Sequence, residues 1–289
     1  MKQITIFILL SFFTFNSYSQ EQFWKVFKND LEKLGLSDSI TFSSQSHHKI
    51  SRHQGVEKIF KRSNYRGYNI NYLFNESGNI TLEVSINEDS SIYSTTTYKY
   101  QKGRLFEKIK TYDSLTFYRT LFKYDSNNQV IKEIKLGKNN DTSRIVYRKY
   151  NKEGNLIELL SDDQGDGQLY YKFTYKYFPH KHIIKSTCYD KKGKVSYKRN
   201  YLQDKHFNLI RMTTIRNRDK SATAYYYNDK NLLIKIESVN FHHNNEFKYV
   251  INYEYIYDSS GQWIKKVEFN ENSSDGQIWI RTTKIKKLA

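Results

Sequence analysis

The sequence predicts a mostly-β protein: an antiparallel meander of stacked β-hairpin repeats that form a curved or twisted open sheet, with one N-terminal helix. Three observations predict it. Aromatic residues make up 16% of the chain, with 26 tyrosines, against a single proline, Pro179. Rings suit a pleated, half-buried surface and proline cannot donate to a ladder, so this balance favours paired strands. Residues of turn type recur with a period near 25 residues, and apolar side chains flank them at even offsets, as one face of a strand requires. The hydrophobic content of 38% suits thin sheets with wet faces better than a thick globular core.

Taken in order, the chain opens with "MKQITIFILLSFFTFNSYSQ". Lys2 is a positive n-region, Ile4 to Phe15 an apolar h-region, and Ser17-Tyr18-Ser19 a small-residue pattern before Gln20. This reads as a secretory signal peptide over 1–19, too short in its apolar core for a spanning helix. The expected location is exported: periplasmic or extracellular, at the cell surface. No integral membrane span is expected in the mature chain, because no second long apolar run follows. Cys188 is the single cysteine, so stability after export must come from packing and ladders, not from an internal disulfide.

Residues 20–63 read as an N-terminal capping helix and lead-in strands. In "EQFWKVFKNDLEKLGL" (21–36), Phe23, Phe27, Leu31 and Leu34 fall at helical spacing and Gly35 supplies a stop. Such a helix covers the first edge or an open end of the sheet. A weaker extra unit surrounds Gly55.

Residues 64–289 read as the hairpin-repeat domain. The turn column runs Gly78, Gly103, Asn128, Gly154, Lys181, Phe207, Asn231 and Gly261, with spacings of 25, 25, 26, 27, 26, 24 and 30. Gly and Asn enter the left-handed region at least cost. Three residues earlier Asp or Asn is common, as at Asp125, Asn151, Asn228 and Asp258, where a short side chain bonds the turn backbone. Two residues later every unit is apolar, from Ile80 to Trp263. Four earlier stand Phe74, Tyr124, Tyr150, Tyr177, Tyr227 and Tyr257, and six earlier another row of rings. Each unit is thus an aromatic strand, a tight turn and an aliphatic strand, about sixteen strands in all. One feature breaks strict alternation: four after the column a charge is usual, as in Glu107, Lys132, Glu158 and Lys235. A bulge or a ladder of opposite charges accounts for it. The loops between units, such as 136–144 and 161–168, are longer and polar, and "QIWIRTTKIKKLA" (277–289) reads as a closing strand.

The units Tyr257-Asp258-Ser259-Ser260-Gly261-Gln262-Trp263 and Tyr124-Asp125-Ser126-Asn127-Asn128-Gln129-Val130 resemble the YD-repeat (Rhs-type) family, with Tyr150 to Leu156 a close third. The resemblance covers about residues 64 to 270. It implies long antiparallel sheets of stacked hairpins that curl into spiral shells, and an envelope or surface role. Nothing after the repeats could be a toxin domain, so this would be a short secreted member without one.

The formal net charge is +17, and loss of the signal peptide removes only Lys2. Such a balance favours acidic partners, so the expected partner is an anionic glycan or an acidic envelope protein. Nucleic acid is not expected, since the basic residues are spread without a dense block. "DDQGDG" (162–167) has some residues of a calcium loop, but Gln164 and Phe173 stand where ligand acids belong, and it reads as a solvated hairpin tip. The histidines, among them His47-His48, His180, His182 and His206, read as loop residues, and adjacent pairs on a strand point apart. No catalytic residue, metal ligand or cofactor site is expected. The candidate ligand-facing residues are the rings Tyr124, Tyr150, Tyr177, Tyr227 and Tyr257, which could stack sugars, unless they pack as core. The functional expectation is an exported, non-enzymatic binding or scaffold module; the alternatives are an outer-membrane β-barrel and a groove-type hydrolase.

Overall fold

A computed structural model describes residues 40–53, 56–60, 69–87, 89–112, 116–217, 219–242, 245–271 and 275–285. The leading strands are β1 (Ile40–His53) and β2 (Val56–Phe60). Four hairpins follow: β3 (Asn69–Phe74) with β4 (Ile80–Ile86), β5 (Ile92–Gln101) with β6 (Arg104–Tyr112), β7 (Thr116–Tyr124) with β8 (Val130–Leu136), and β9 (Thr142–Tyr150) with β10 (Leu156–Asp162). Four more continue the series: β11 (Tyr171–Phe178) with β12 (Ile183–Asp190), β13 (Val195–Gln203) with β14 (Leu209–Arg216), β15 (Asp219–Tyr227) with β16 (Leu233–His242), and β17 (Asn245–Tyr257) with β18 (Trp263–Asn270). The last strand is β19 (Asp275–Ile285).

From β3 onward every strand pairs antiparallel with the next, and β19 pairs in turn with β1, from Ile40↔Ile285 to Ser51↔Asp275. On its other side β1 pairs first with β3, from Phe42↔Leu73 to Gln45↔Ile70, and then with β2, from Lys49↔Phe60 to His53↔Val56. β2 and β3 therefore lie end to end as one stave, and the sheet closes into a barrel of 18 staves. This corrects the expected curved or twisted open sheet, and with it the spiral architecture implied by the YD-repeat resemblance. Pairing between β1 and β19 satisfies the two strand edges that an open meander would expose. The predicted helix at 21–36 and the signal peptide lie outside the described residues, which contain no α-helix; a 3-10 turn spans Pro179–Lys181.

The tight turns of the column all lie at one end of the barrel, together with the start of β1 and the finish of β19. Gly78, Gly103, Asn128, Gly154, Asn231 and Gly261 each sit in such a turn at positive φ, between 57° and 80°. In the fifth hairpin the left-handed residue is His182, one past Lys181. The turn acid works as expected of its type: Asp125 Oδ1 accepts the amides of Asn127 at 2.9 Å and Gln129 at 2.8 Å, and Asp258 repeats this with Ser260 and Gln262.

Seven hairpins carry one extra residue just after the turn: Thr81, Phe106, Ile131, Ile157, Ile210, Ile234 and Ile264. This β-bulge is why the residue two past the column and the charged residue four past it lie on opposite faces. Across the sheet, one face holds the tyrosine rows and is systematically the more buried; Ile184, Tyr201, Met212, Tyr225, Ile236 and Tyr253 form its largest cluster. We assign it to the interior, where the strands of a closed barrel turn one set of alternate side chains inward. The other face carries exposed apolar side chains, among them Leu73, Tyr147, Ile215, Phe241 and Ile256, alternating with lysines.

The turns set a clear test of backbone demand. At Gly103 an added Cβ meets open space, but φ is +75°, so Gly103→Ala is expected to cost about 1 kcal/mol from conformation alone. Asn128→Gly is expected to be neutral within about 0.5 kcal/mol. Thermal or denaturant unfolding of the two variants checks the pair.

Candidate functional site

The five candidate rings are strung along the tight-turn rim and do not converge on one site. Tyr124 Oη donates to the carbonyl of Leu105 at 2.7 Å, Tyr150 to Val130 at 3.0 Å, Tyr177 to Leu156 at 2.8 Å, and Tyr227 to Leu209 at 3.0 Å. Tyr100 and Tyr255 make the same bond to Ile80 and Leu233. In each case the acceptor is the residue two past a turn, and the donor belongs to the next hairpin. The ladder between hairpins has ended there; β6 and β7, for example, are last paired at Glu107↔Leu121. The hydroxyl thus joins neighbouring hairpins beyond their last rung. Tyr257 differs: its hydroxyl accepts from Asn228 Nδ2 at 3.0 Å, and Lys230 Nζ sits 3.8 Å above its ring. Where a tyrosine is missing, at Gln203, the ladder continues to Ile183↔Leu202 and the Gln203 amide reaches the carbonyl of His182.

Away from that rim the interior face turns polar. On consecutive strands β6 to β9 it presents Lys110 and Tyr112, then Tyr118, Lys135 and Arg144, with Asp163 arriving from the loop after β10. Tyr118, Lys135, Ser143, Arg144 and Asp163 line a cleft of about 380 Å³, and Lys110 and Tyr112 stand beside Tyr118 on the same face. Tyr112 and Tyr118 meet edge to face at 6.0 Å. Lys110 Nζ lies 4.9 Å from the Tyr112 ring centre and Lys135 Nζ 5.0 Å from that of Tyr118. Arg144 Nε binds Asp163 at 2.9 Å and Ser161 Oγ at 3.2 Å, and Ser161 donates in turn to Asp163. Sequence reading missed this cleft, because its members come from four strands and a loop and share no motif; the even-residue spacing of Lys110 and Tyr112 on β6 is the one local signal.

A second cluster lies where the barrel closes. Arg281 stacks over Trp263 at 3.4 Å, and Lys266 lies 4.4 Å from the Tyr253 ring and 4.9 Å from that of Trp279. Both cations are buried, at 5% and 7% exposure, and their rings supply the electrostatic contact that water would give.

The remaining sequence candidates are structural. Asp162 takes the amides of Gln164, Gly165 and Gly167 on its own carboxylate, which shapes the 163–167 loop and occupies the oxygens a cation would use. Gly165 is pressed against Thr142, where a Cβ would come within 2.3 Å of its carbonyl. Cys188 is fully buried on the interior face. His182 packs edge-on to Phe207 at 6.3 Å. Among the described residues, no three histidine, cysteine or acidic side chains gather as a metal site would need. No helix among the described residues is long and apolar enough to cross a membrane, which says nothing of crossing by strands.

A scan against protein-family models finds no match, and a search of curated proteins also finds none. Among solved structures the chain is similar to a porin-like protein from Bacteroides uniformis, with TM-score 0.46, 9% identity, and coverage of 86% of this chain and 98% of that one. A porin-like protein from Bacteroides vulgatus gives TM-score 0.35 at 10% identity, covering 86% and 99%. The Tc holotoxin pore of Photorhabdus luminescens gives 0.27 at 12%, covering 81% of this chain and 14% of that one. At such scores these likenesses carry no argument, which rests on the ladder of this chain. Closure of that ladder supports the outer-membrane β-barrel, first set down as an alternative, better than the open scaffold.

The tight turns lend themselves to titration. The Ser260 hydroxyl, together with the amides of Gln262 and Ser260, holds the Asp258 carboxyl below its ordinary 3.8. A depressed folded value means that its stabilisation is present above the ordinary value and is lost as pH falls through the folded one. A carboxyl-carbon NMR titration should place Asp258 below 3.8, and Ser260→Ala should move it upward; an unmoved midpoint would remove the hydroxyl as the cause. For the stitching bonds, Tyr124→Phe is expected to cost about 1 kcal/mol in unfolding, the usual net value of one hydrogen bond.

Proposed function

We propose that the chain is an exported, non-enzymatic outer-membrane β-barrel of the cell envelope, with a polar interior of basic character. The observation that carries this reading is the closed, even-numbered antiparallel barrel, in which pairing of β19 with β1 satisfies the edges an open meander would leave to solvent or lipid. Three further features support it. Exposed apolar side chains stand on the outward face all round, with the bulges adding Phe106, Ile131 and Ile264. Both termini of the barrel lie at one end, and the longest described connection between strands, 163–170, lies at the other, where outer-membrane barrels carry their longer loops. Lys99, Lys123, Lys132, Lys149, Lys176 and Lys185 form an outward row near the tight turns, where ammonium groups can reach headgroups at an interface.

Outward charges farther along the strands are partly neutralised: Arg119 pairs with Glu107, and Lys172 with Glu158 at 2.7 Å. Inside, Lys108, Lys110, Lys135, Arg144 and Arg199 outweigh Glu83 and Glu133, so an open lumen would favour anions.

Membrane fractionation tests the reading. The full chain should stay in the pellet through a carbonate wash, require detergent for extraction, and shift in gel mobility on boiling, as closed barrels do when they unfold. Release into the aqueous phase without detergent would instead establish a water-soluble barrel, which outward lysines such as Lys198 and Lys220 would suit. In planar bilayers, conductance with a reversal potential favouring chloride over potassium is expected.

A further inference from the structure

The cleft on β6 to β9 combines three things that rarely sit together without a ligand to match. Its cations outnumber its anions: Lys135 and Arg144 line it with Asp163, Lys110 stands beside Tyr118 on the same face, and of the three Arg144 pairs with that carboxylate. Its rings are arranged as a corner, with Tyr118 37% exposed and Tyr112 standing edge-on to it. Its volume, about 380 Å³, matches one or two sugar rings. An anion alone would need the cations and no rings. A neutral sugar would need the rings and hydrogen-bonding groups but no excess of positive charge.

We infer that this cleft is a binding site for a carboxylated saccharide, with the sugar ring against Tyr118 and the carboxylate held by Lys135 and Lys110. Tyr118 offers a flat apolar face to the C–H side of a pyranose, as amphipathic rings do for sugars. The two ammonium groups supply point charges that tolerate several orientations of a carboxylate. Arg144 is held in place by Asp163 and Ser161, so its outer guanidinium nitrogens remain directed and can take a ring hydroxyl. The backbone of the cleft is tied down too: Ser143 Oγ donates to the Lys135 carbonyl at 3.1 Å. The inference goes beyond the membrane reading and stands whether the barrel sits in lipid or in water.

Calorimetric titration of the folded full chain with trigalacturonic acid, with maltotriose and sodium acetate as comparison ligands, tests it. Binding of the acidic trisaccharide is expected, weakening as salt rises, with the neutral trisaccharide and acetate each binding at least about tenfold more weakly, the loss of one charge-assisted contact or one ring contact. Lys135→Gln and Tyr118→Ala should each weaken binding about tenfold or more, whereas Lys248→Gln, the same charge change on β17 beside Glu246, should not. Tyr118→Leu keeps bulk on the strand and guards against a folding defect; it should lose the sugar preference but retain the salt dependence. Equal losses in Lys135→Gln and Lys248→Gln would reduce the effect to net charge, and acetate binding as well as the trisaccharide would eliminate the sugar; either result overturns the inference. Failure here leaves the fractionation result untouched, so the two readings fall separately.

Discussion

The structure depends on how backbone groups are satisfied where hairpins part company. A ladder cannot run the full length of both partners when each tight turn splays away from the next. At that point six tyrosine hydroxyls take over, each donating to the carbonyl two residues past the preceding turn. A half-buried carbonyl without a partner would cost about 1–3 kcal/mol, so these bonds matter beyond their modest net gain. Tyrosine fits the task because its ring packs along the strand while its hydroxyl reaches across to the neighbour. The exception argues the same way: at Gln203, where no tyrosine stands, the strands stay paired for two residues more. Ladder and hydroxyl are alternative answers to one demand.

The bulge is the second constraint, and it separates the chemistry of the two faces. Without Ile131 as an extra residue, Val130 and Lys132 would share a face, and the charge would enter the ring-lined interior. With it, Val130 stays opposite Tyr124 and Lys132 opposite Lys123. Repeated in seven hairpins, the bulge lets an apolar residue and a charged one stand two apart in sequence yet face inward and outward. It also bends and twists each hairpin more than a regular pair would, which helps a sheet of this width to curve round on itself.

Much of the hairpin level was legible in the sequence, because its determinants are local. The left-handed positions from Gly78 to Gly261, and the acids that cap them, sit within five residues of one another and show as a column. Even so, the column, whose fifth member Lys181 does lie in the β11–β12 turn, passed over a closer copy of the motif. Tyr189-Asp190-Lys191-Lys192-Gly193-Lys194-Val195 forms the same turn, with Gly193 at φ +75° and Asp190 Oδ1 accepting from Lys192 and Lys194, but at the opposite end of the barrel. The fifth hairpin instead bends through Pro179 and His182. A turn motif records local conformation and says nothing of which rim it occupies. The interior cleft was illegible for a related reason: Tyr118, Lys135 and Arg144 become neighbours only through register, and register is set by bulges and turns spread over the intervening strands.

Closure lies farther still from anything local. β1, "ITFSSQSHHKISRH", has none of the aromatic pattern of the repeats, and its partner β19 lies more than two hundred residues away, as the bond from Ser46 Oγ to the Ile280 carbonyl shows, with a separation of 234. Yet the seam has a chemical signature of its own. Arg281 and Lys266 are buried against Trp263, Tyr253 and Trp279, and two of the chain's three tryptophans stand there. Buried cations are tolerated only where something replaces their water, and π faces do so in part. These pairs tie β17, β18 and β19 to one another, so a slipped register among them would leave a buried charge against an aliphatic wall. The repeats make a sheet that could grow indefinitely; the pairing of β19 with β1 is where it stops.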